Sequence, residues 1–166
     1  MKLLFITSNK SKFNFAKDTL KKYNIDVVQK NLCILERRSD DIRDDIRDVV
    51  RYKIKDIPKL PKKHIITEDS GFYIEGLNGF PGTLTKPFLR CVGINGILKL
   101  LENNDNRKAV LRSALCYYNP NIGKTRLFVF DLKGKISENI RGDYTRGWSD
   151  IMKIFIPHGF NKTIAE

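Results

Sequence analysis

Small hydroxyl, amide and ammonium groups follow the first apolar run of the chain. Lys2–Thr7 predicts a buried strand, and apolar residues at helical spacing begin with Phe13. Ser8 and Asn9 lie between the two elements, and Lys12 follows closely. Backbone N–H groups at a helix N-terminus, together with hydroxyls and a lysine, form a cradle for phosphate. The glycine spacing of a P-loop is absent, and a polar turn before a helix is more often only a cap.

Two adjacent carboxylates end another apolar segment. His64–Thr67 predicts a third strand, and it ends in Glu68 and Asp69, followed by Ser70 and Gly71. Ligands bind at the carboxyl ends of strands in open α/β sheets. Because neighbouring side chains of an extended chain point to opposite sides, one carboxylate can face a metal while the other faces elsewhere. Such a group orients Mg²⁺ or activates a water, although a plain charged turn explains the segment equally well.

A third polar segment holds the only tryptophan. Trp148 lies between Arg146 and Asp150, and Pro157 and Gly159 follow. An indole ring in a loop can stack on a base, and a carboxylate can accept a hydrogen bond from a base edge. A lone tryptophan is more often part of a core.

Strands and helices alternate around these segments. A helix at Lys12–Tyr23 precedes a second strand at Ile25–Val28, and a charged amphipathic helix is predicted at Asp40–Lys55. Further predicted elements are a turn at Asn78–Gly82, a helix at Gly93–Leu101, strands at Ala109–Tyr118 and Arg126–Asp131 around a turn at Asn119–Gly123, and a turn at Leu132–Gly134. This order predicts an α/β fold with a mixed central sheet flanked by helices. No linker interrupts it, so residues 1–166 are predicted to form a single domain.

Composition excludes several classes of protein. The 166 residues include 31 Lys and Arg against 19 Asp and Glu, a formal net charge of +12. That charge attracts polyanions, but the basic residues are scattered, which is typical of a solvated surface. No apolar run is long enough to span a membrane, and Leu3–Ile6 is too short for a signal peptide. The three cysteines are far apart, which favours a reducing, intracellular setting without structural zinc.

Together, the three polar segments resemble the inosine triphosphate pyrophosphatase family, the non-standard purine nucleoside triphosphate pyrophosphatases. Thr7, Asn9 and Lys12 match the family's opening Thr-x-Asn-x-x-Lys, and Lys53 fits its helix lysine. The most specific match is Glu68-Asp69-Ser70-Gly71 followed by Leu77-Asn78-Gly79-Phe80-Pro81-Gly82. Weaker matches follow in the family's order: Gly134-Lys135-Ile136, Arg141-Gly142, Gly147-Trp148, Pro157-x-Gly159 and Ala165-Glu166.

The resemblance implies hydrolysis of ITP, dITP and XTP to a monophosphate and pyrophosphate, with Mg²⁺ or alternatively Mn²⁺ as cofactor. Asp69 would be the general base, with Glu68 and Asp69 as metal carboxylates and Glu36 or Asp41 as a further metal ligand. Substrate would be bound by Thr7, Ser8, Asn9, Lys12, Lys53, Ser70, Gly71, Lys86, Trp148 and Asp150.

The resemblance also implies two lobes with a cleft between them and a homodimer, while the reducing, intracellular setting favoured by the cysteines predicts a cytoplasmic location. In the family, a helix carrying a Ser-His-Arg motif follows and reads the purine, whereas the last residue of this sequence is Glu166. Relaxed base selectivity is therefore expected.

Three other functions stay open. Phe15 stands where the family carries a glutamate, which favours a non-catalytic relative that binds nucleotide or acts by interaction. The net charge of +12 is compatible with a nucleic-acid-binding protein. The Maf-like pyrophosphatases share the fold, but the block from Glu68 to Gly82 argues against that branch.

Overall fold

The computed structural model describes residues 1–32, 45–143 and 149–166. In chain order the elements are β1 (Lys2–Ile6), α1 (Lys10–Lys21), β2 (Asp26–Lys30), α2 (Ile46–Lys55), β3 (His64–Ile74), a 3₁₀ turn (Glu75–Leu77), β4 (Pro81–Gly82), α3 (Thr85–Leu100), β5 (Lys108–Asn119), β6 (Lys124–Ile136), a 3₁₀ helix (Asp150–Lys153) and β7 (Phe155–Pro157). None of the helices in the described part of the chain has both the length and the apolar character that a membrane span requires.

In the described part of the chain, seven strands form one sheet that contains both parallel and antiparallel pairs. Hydrogen-bonded neighbours follow the order β2-β1-β3-β5-β6-β7, and β4 pairs with β3. β1 is parallel to β2 and to β3, whereas β4 and β7 pair antiparallel with β3 and β6. The predicted α/β fold with a mixed sheet and flanking helices is confirmed.

The described residues divide into two compact units. The first takes residues 1–32, 45–69 and 113–129, and the second takes 70–112, 130–143 and 149–166. Each unit has its own buried cluster, and the long strands β3, β5 and β6 contribute residues to both.

In the first unit, α1 and α2 lie on opposite faces of the strands. On one face, Leu3, Phe5 and Ile66 pack with apolar side chains of α1. The alternate residues Ile6 and Ile65 are buried on the other face. That face also receives α2, whose buried side chains are Ile46, Val49, Val50 and Ile54. The period of two along each strand therefore sends successive side chains toward different helices.

The second unit has a core built around α3 and the ends of the long strands. Phe72 and Phe155 meet edge to face, with ring centroids 5.1 Å apart. Ile97 and Leu101 from the α3 region and Ile154 are fully buried in the same cluster. These contacts fix the portion of β3 that follows the carboxylates.

Two predicted helix boundaries were wrong. The helix predicted at Asp40–Lys55 begins at Ile46, because Asp45 has an extended backbone and its carboxylate accepts from the Arg47 N–H at 3.0 Å. Residues 40–44 lie outside the described residues. The helix predicted at Gly93–Leu101 spans Thr85–Leu100 and is interrupted at Gly93, where φ is 65°.

One predicted strand end and one predicted turn were also wrong. β3 continues through Glu68–Gly71 to Ile74 without ending at the carboxylates. β6 likewise continues through Leu132–Gly134. A Cβ on Gly134 would collide with the Ile156 carbonyl oxygen and the Phe155 ring, so this glycine marks close contact with β7.

Candidate active site

The polar segment after β1 is organised by its own side chains. Thr7 Oγ1 accepts from the Asn9 N–H at 3.1 Å, and Asn9 Oδ1 accepts from the Lys12 N–H at 3.0 Å. Asn9 is thus the N-cap of α1, and the Gln29 side chain amide donates to the Thr7 carbonyl at 3.0 Å. Ser8 is exposed at the tip. The first turn of α1 contains no acidic residue, so its amide end suits an anion.

Two lysines meet the adjacent carboxylates of β3. Lys12 Nζ lies 2.7 Å from Glu68 Oε2 and 3.9 Å from Asp69 Oδ1. Lys53 Nζ donates to Asp69 Oδ2 at 2.6 Å. Glu68 is thus paired with α1 and Asp69 with both helices, so Lys12 contacts both carboxylates and Lys53 contacts Asp69.

Strand register and helix docking account for this arrangement. Ile6 of β1 lies opposite Thr67 of β3, so the segment after β1 and the carboxylates occur at the same level. Thr67 is fully buried, and its hydroxyl donates to the Val50 carbonyl at 2.8 Å. Val50 precedes Lys53 by almost one helical turn, so this hydrogen bond sets how far α2 brings its lysine toward Asp69.

The four charged side chains remain accessible. Exposed fractions range from 16% for Lys53 to 24% for Asp69 and Lys12. The set can therefore bind a ligand from solvent, with cations for phosphate and carboxylates for water or metal. Across residues 1–32, 45–143 and 149–166, no three His, Cys, Asp or Glu side chains converge on one metal position. The predicted metal ligands Glu36 and Asp41 lie outside the described residues.

Ser70, Gly71 and Lys86 belong to the second unit. Gly71 is buried, and a Cβ there would lie 2.9 Å from both the Gly82 carbonyl oxygen and the Tyr73 ring. Lys86 is exposed in the first turn of α3. The substrate-binding role that the resemblance implies for Gly71 is thus accompanied by a local packing requirement for glycine.

Asp150 opens the 3₁₀ helix of the second unit. The Ser149 hydroxyl caps this helix by accepting from the Ile151 N–H, and Lys153 Nζ lies 3.1 Å from Asp150 Oδ1. The Asp150 side chain is 67% exposed, so its carboxylate can reach a ligand. Trp148 lies outside the described residues.

Sequence reasoning missed an ion pair in the second unit. Arg112 Nε and Nη2 each donate to Asp131 at 2.7 Å, and the guanidinium carbon lies 5.5 Å from the Tyr73 ring centroid. Arg112 lies on β5 and Asp131 on β6, neighbouring strands on either side of the turn predicted at Asn119–Gly123. The predicted turn indicated that the two strands meet but not which side chains pair.

Sequence reasoning also missed the role of Thr85 in supporting Gly71 and its neighbours. Thr85 Oγ1 accepts from the Phe72 N–H at 2.9 Å and donates to the Gly82 carbonyl at 2.6 Å. The hydroxyl links β3, β4 and the start of α3. No sequence signal marked it, because the helix was predicted to begin only at Gly93.

We expect Thr85→Val to lower the free energy of unfolding by about 1–3 kcal/mol, because it leaves a backbone donor and an acceptor without their partner at nearly unchanged volume. Urea unfolding measures this loss. Thr85→Ser retains the hydroxyl and is the matched control. Equal stability of the valine and serine variants would contradict the bridging role.

Comparison with known proteins identifies the family. The model of the Ham1 family matches residues 3–166. The dITP/XTP pyrophosphatase of Methanopyrus kandleri is 38% identical over 166 residues, and that of Pyrococcus horikoshii is 37% identical over 168. Each alignment covers 100% of this chain and 84% of the relative.

Solved structures show the same fold. A HAM1 protein from Coxiella burnetii superposes with a TM-score of 0.80 at 19% identity, covering 100% of this chain and 86% of that one. A nucleoside-triphosphatase / dITP/XTP pyrophosphatase from Mycobacterium abscessus gives 0.72 at 21% identity, with 100% and 88% covered. The family resemblance inferred from the motifs is confirmed, and the chain belongs to the Ham1 family.

Proposed function

We propose that this chain hydrolyses non-standard purine nucleoside triphosphates, dITP, ITP and XTP, to the monophosphate and pyrophosphate. The observation that carries the proposal is the cluster of Lys12 and Lys53 with Glu68 and Asp69. It combines cations for a polyphosphate with a carboxylate base. The relatives named dITP/XTP pyrophosphatase support the choice of substrate.

The triphosphate is held by the segment after β1 and by the two lysines. An ammonium group has three N–H donors, so each lysine can bind a phosphate oxygen while it keeps its carboxylate partner. Thr7, Ser8 and Asn9 position the amide end of α1, which favours negative charge. These cations offset the charge that develops on the leaving pyrophosphate.

Asp69 is the general base for the attacking water. Its oxygens lie 2.6 Å from Lys53 and 3.9 Å from Lys12, and an ion-paired carboxylate is an acceptor only. It therefore orients the water and takes its proton as the water oxygen bonds to phosphorus. The phosphorus–oxygen bond to pyrophosphate breaks, and the leaving oxygen retains the electron pair.

Glu68 and Asp69 also suit Mg²⁺ together with the substrate phosphates. Mg²⁺ prefers oxygen ligands and is commonly bound by one or two carboxylates together with phosphate oxygens and waters. Glu68 and Asp69 would supply the carboxylates, and the substrate would supply the phosphate oxygens. Glu36 or Asp41 is proposed as a further carboxylate ligand. When bound, the ion withdraws charge from the phosphate oxygens. Mn²⁺ is an alternative with the same ligand preference.

Base recognition is assigned to Trp148 and Asp150. A carboxylate accepts from the N1–H of hypoxanthine or xanthine, whereas adenine has an acceptor at N1. Asp150 would therefore favour 6-oxopurines over adenine, and Trp148 would stack on the ring. Ser70, Gly71 and Lys86 are proposed to complete the substrate site. The homodimer and the cytoplasmic location stay predictions.

We expect Asp69→Asn to lower kcat for dITP by roughly 10²–10⁴-fold, because the amide cannot take the proton from the water. Pyrophosphate release from dITP with Mg²⁺ measures this loss. Asp48→Asn is the matched control, because the Asp48 side chain on α2 is 48% exposed and pairs with Arg51 at 2.9 Å. Activity retained by Asp69→Asn, or loss of the same size in the control, would contradict the assignment.

We expect Lys53→Met to lower kcat/KM for dITP by roughly 10²–10³-fold, because one cation is removed from the developing phosphate charge. Lys55→Met is the control on the same helix, since Lys55 is exposed and lies 5.7 Å from the Tyr52 ring centroid. Steady-state kinetics of both variants test the difference. A similar loss in both would show that only the overall charge matters.

We expect EDTA to abolish pyrophosphate release and added Mg²⁺ to restore it, because without the ion the Glu68 and Asp69 carboxylates repel the phosphate oxygens and only the lysines offset their charge. The rate is measured across a Mg²⁺ titration with dITP, and again with Mn²⁺. Full activity in EDTA would rule out the proposed cofactor.

A further inference from the structure

The last residues of the chain hold the 3₁₀ helix that carries Asp150. The Ala165 N–H donates to the Met152 carbonyl at 3.1 Å, and the Arg141 N–H donates to the Lys153 carbonyl at 2.8 Å. The carbonyl groups of Met152 and Lys153, consecutive residues of the helix, are thus bound by two separate segments, one around Ala165 and one around Arg141. Because Ile151 and Met152 are buried while Asp150 is exposed, the position of the helix sets where the Asp150 carboxylate lies.

An ion pair joins those two segments. Arg141 Nε lies 3.1 Å from Glu166 Oε2, and Arg141 Nη2 donates to Glu166 Oε1 at 3.2 Å. Glu166 Oε2 also accepts from the Thr163 N–H at 2.8 Å, and the Thr163 hydroxyl donates to the Arg141 carbonyl at 2.9 Å. Arg141, the 3₁₀ helix, Ala165 and Glu166 therefore form a closed ring of contacts.

The contact between the two segments is close enough to require glycine. Gly142 has φ of 74°, and a Cβ there would lie 2.5 Å from the carbonyl carbon and oxygen of Ala165. The hydrogen bond from Thr163 and the neighbouring Arg141 also lower the pKa of Glu166, so its carboxylate is kept in the charged form that the ion pair needs. The close contact at Gly142 and the charge of Glu166 therefore both favour the arrangement in which Arg141 and Glu166 are paired.

We infer that Arg141 and Glu166 are positioning residues for base recognition, which act by fixing the 3₁₀ helix that carries Asp150. The inference rests on the proposed function, in which Asp150 contacts the base. Exposed ion pairs contribute little to stability, and these side chains are 38% and 25% exposed. Their main effect is therefore expected on the placement of Asp150.

The test compares Glu166→Gln with the wild type, and Glu138→Gln, an exposed glutamate of the same unit, is the control. We expect Glu166→Gln to lower the ratio of kcat/KM for dITP to that for dATP by roughly ten-fold, mainly through KM. The inhibition constant of inorganic tripolyphosphate, which has no base, should stay unchanged. An unchanged ratio, or a matching weakening of tripolyphosphate, would overturn the inference.

A double-mutant cycle separates positioning from a structural role. In an Asp150→Asn background, Glu166→Gln should cause no further change in the dITP-to-dATP ratio, because its effect passes through Asp150. Additive effects would overturn the inference.

Amide hydrogen exchange keeps the inference testable even if no triphosphate is hydrolysed, an outcome that would refute the proposed function alone. The amides of Arg141 and Ala165, which bind the 3₁₀ helix, should exchange faster in Glu166→Gln than in wild type. Unchanged exchange would overturn the positioning role.

Discussion

The pairing of two adjacent carboxylates with lysines from opposite faces of one strand is the constraint on which the candidate site depends. Glu68 and Asp69 are neighbours in β3, and α1 and α2 lie on the two faces, so that each helix contributes one lysine. Lys12 of α1 contacts both carboxylates, at 2.7 Å from Glu68 and 3.9 Å from Asp69. The close partner of Asp69 is Lys53 of α2, at 2.6 Å.

The burial around these ion pairs makes their geometry specific. Removing one partner of a partly buried pair leaves a charge that is poorly solvated and poorly compensated. The hydrogen bond from the buried Thr67 hydroxyl to the Val50 carbonyl therefore has a functional consequence, since it docks α2 at the height where Lys53 meets Asp69. Parallel pairing of β1 with β3 likewise places the segment that begins α1, and with it Lys12, at the level of the carboxylates. The register that packs the core around β3 therefore also positions the lysines against the carboxylates.

Much of this arrangement could be predicted from the sequence. The alternation of strand and helix predicted the mixed sheet, and the segment after the first strand and the adjacent carboxylates were both recognised as candidate site residues. Asn9 was predicted as a substrate ligand, which stays a prediction, and the structure shows that it caps α1. These features are local, so short windows of sequence contain them.

Features that depend on distant contacts could not be predicted in the same way. Glu, Asp and Gly are weak strand formers, yet β3 continues through Glu68–Gly71 to Ile74 as an internal strand of the sheet, with β1 and β5 as its neighbours. α3 begins at Thr85 although Pro87 follows, since proline is tolerated in a first helical turn. The ring from Arg141 to Glu166 joins residues far apart in sequence, and no local spacing indicates that the two side chains meet.

The most direct measurement of the central claim is ³¹P NMR of dITP during incubation with the protein and Mg²⁺. If the site activates water with Asp69 and stabilises a leaving pyrophosphate, the spectra should show equal amounts of deoxyinosine monophosphate and pyrophosphate, with no deoxyinosine diphosphate as an intermediate. Release of orthophosphate together with deoxyinosine diphosphate would show that another bond is cleaved. Either that product pattern or an unchanged dITP spectrum would contradict the account.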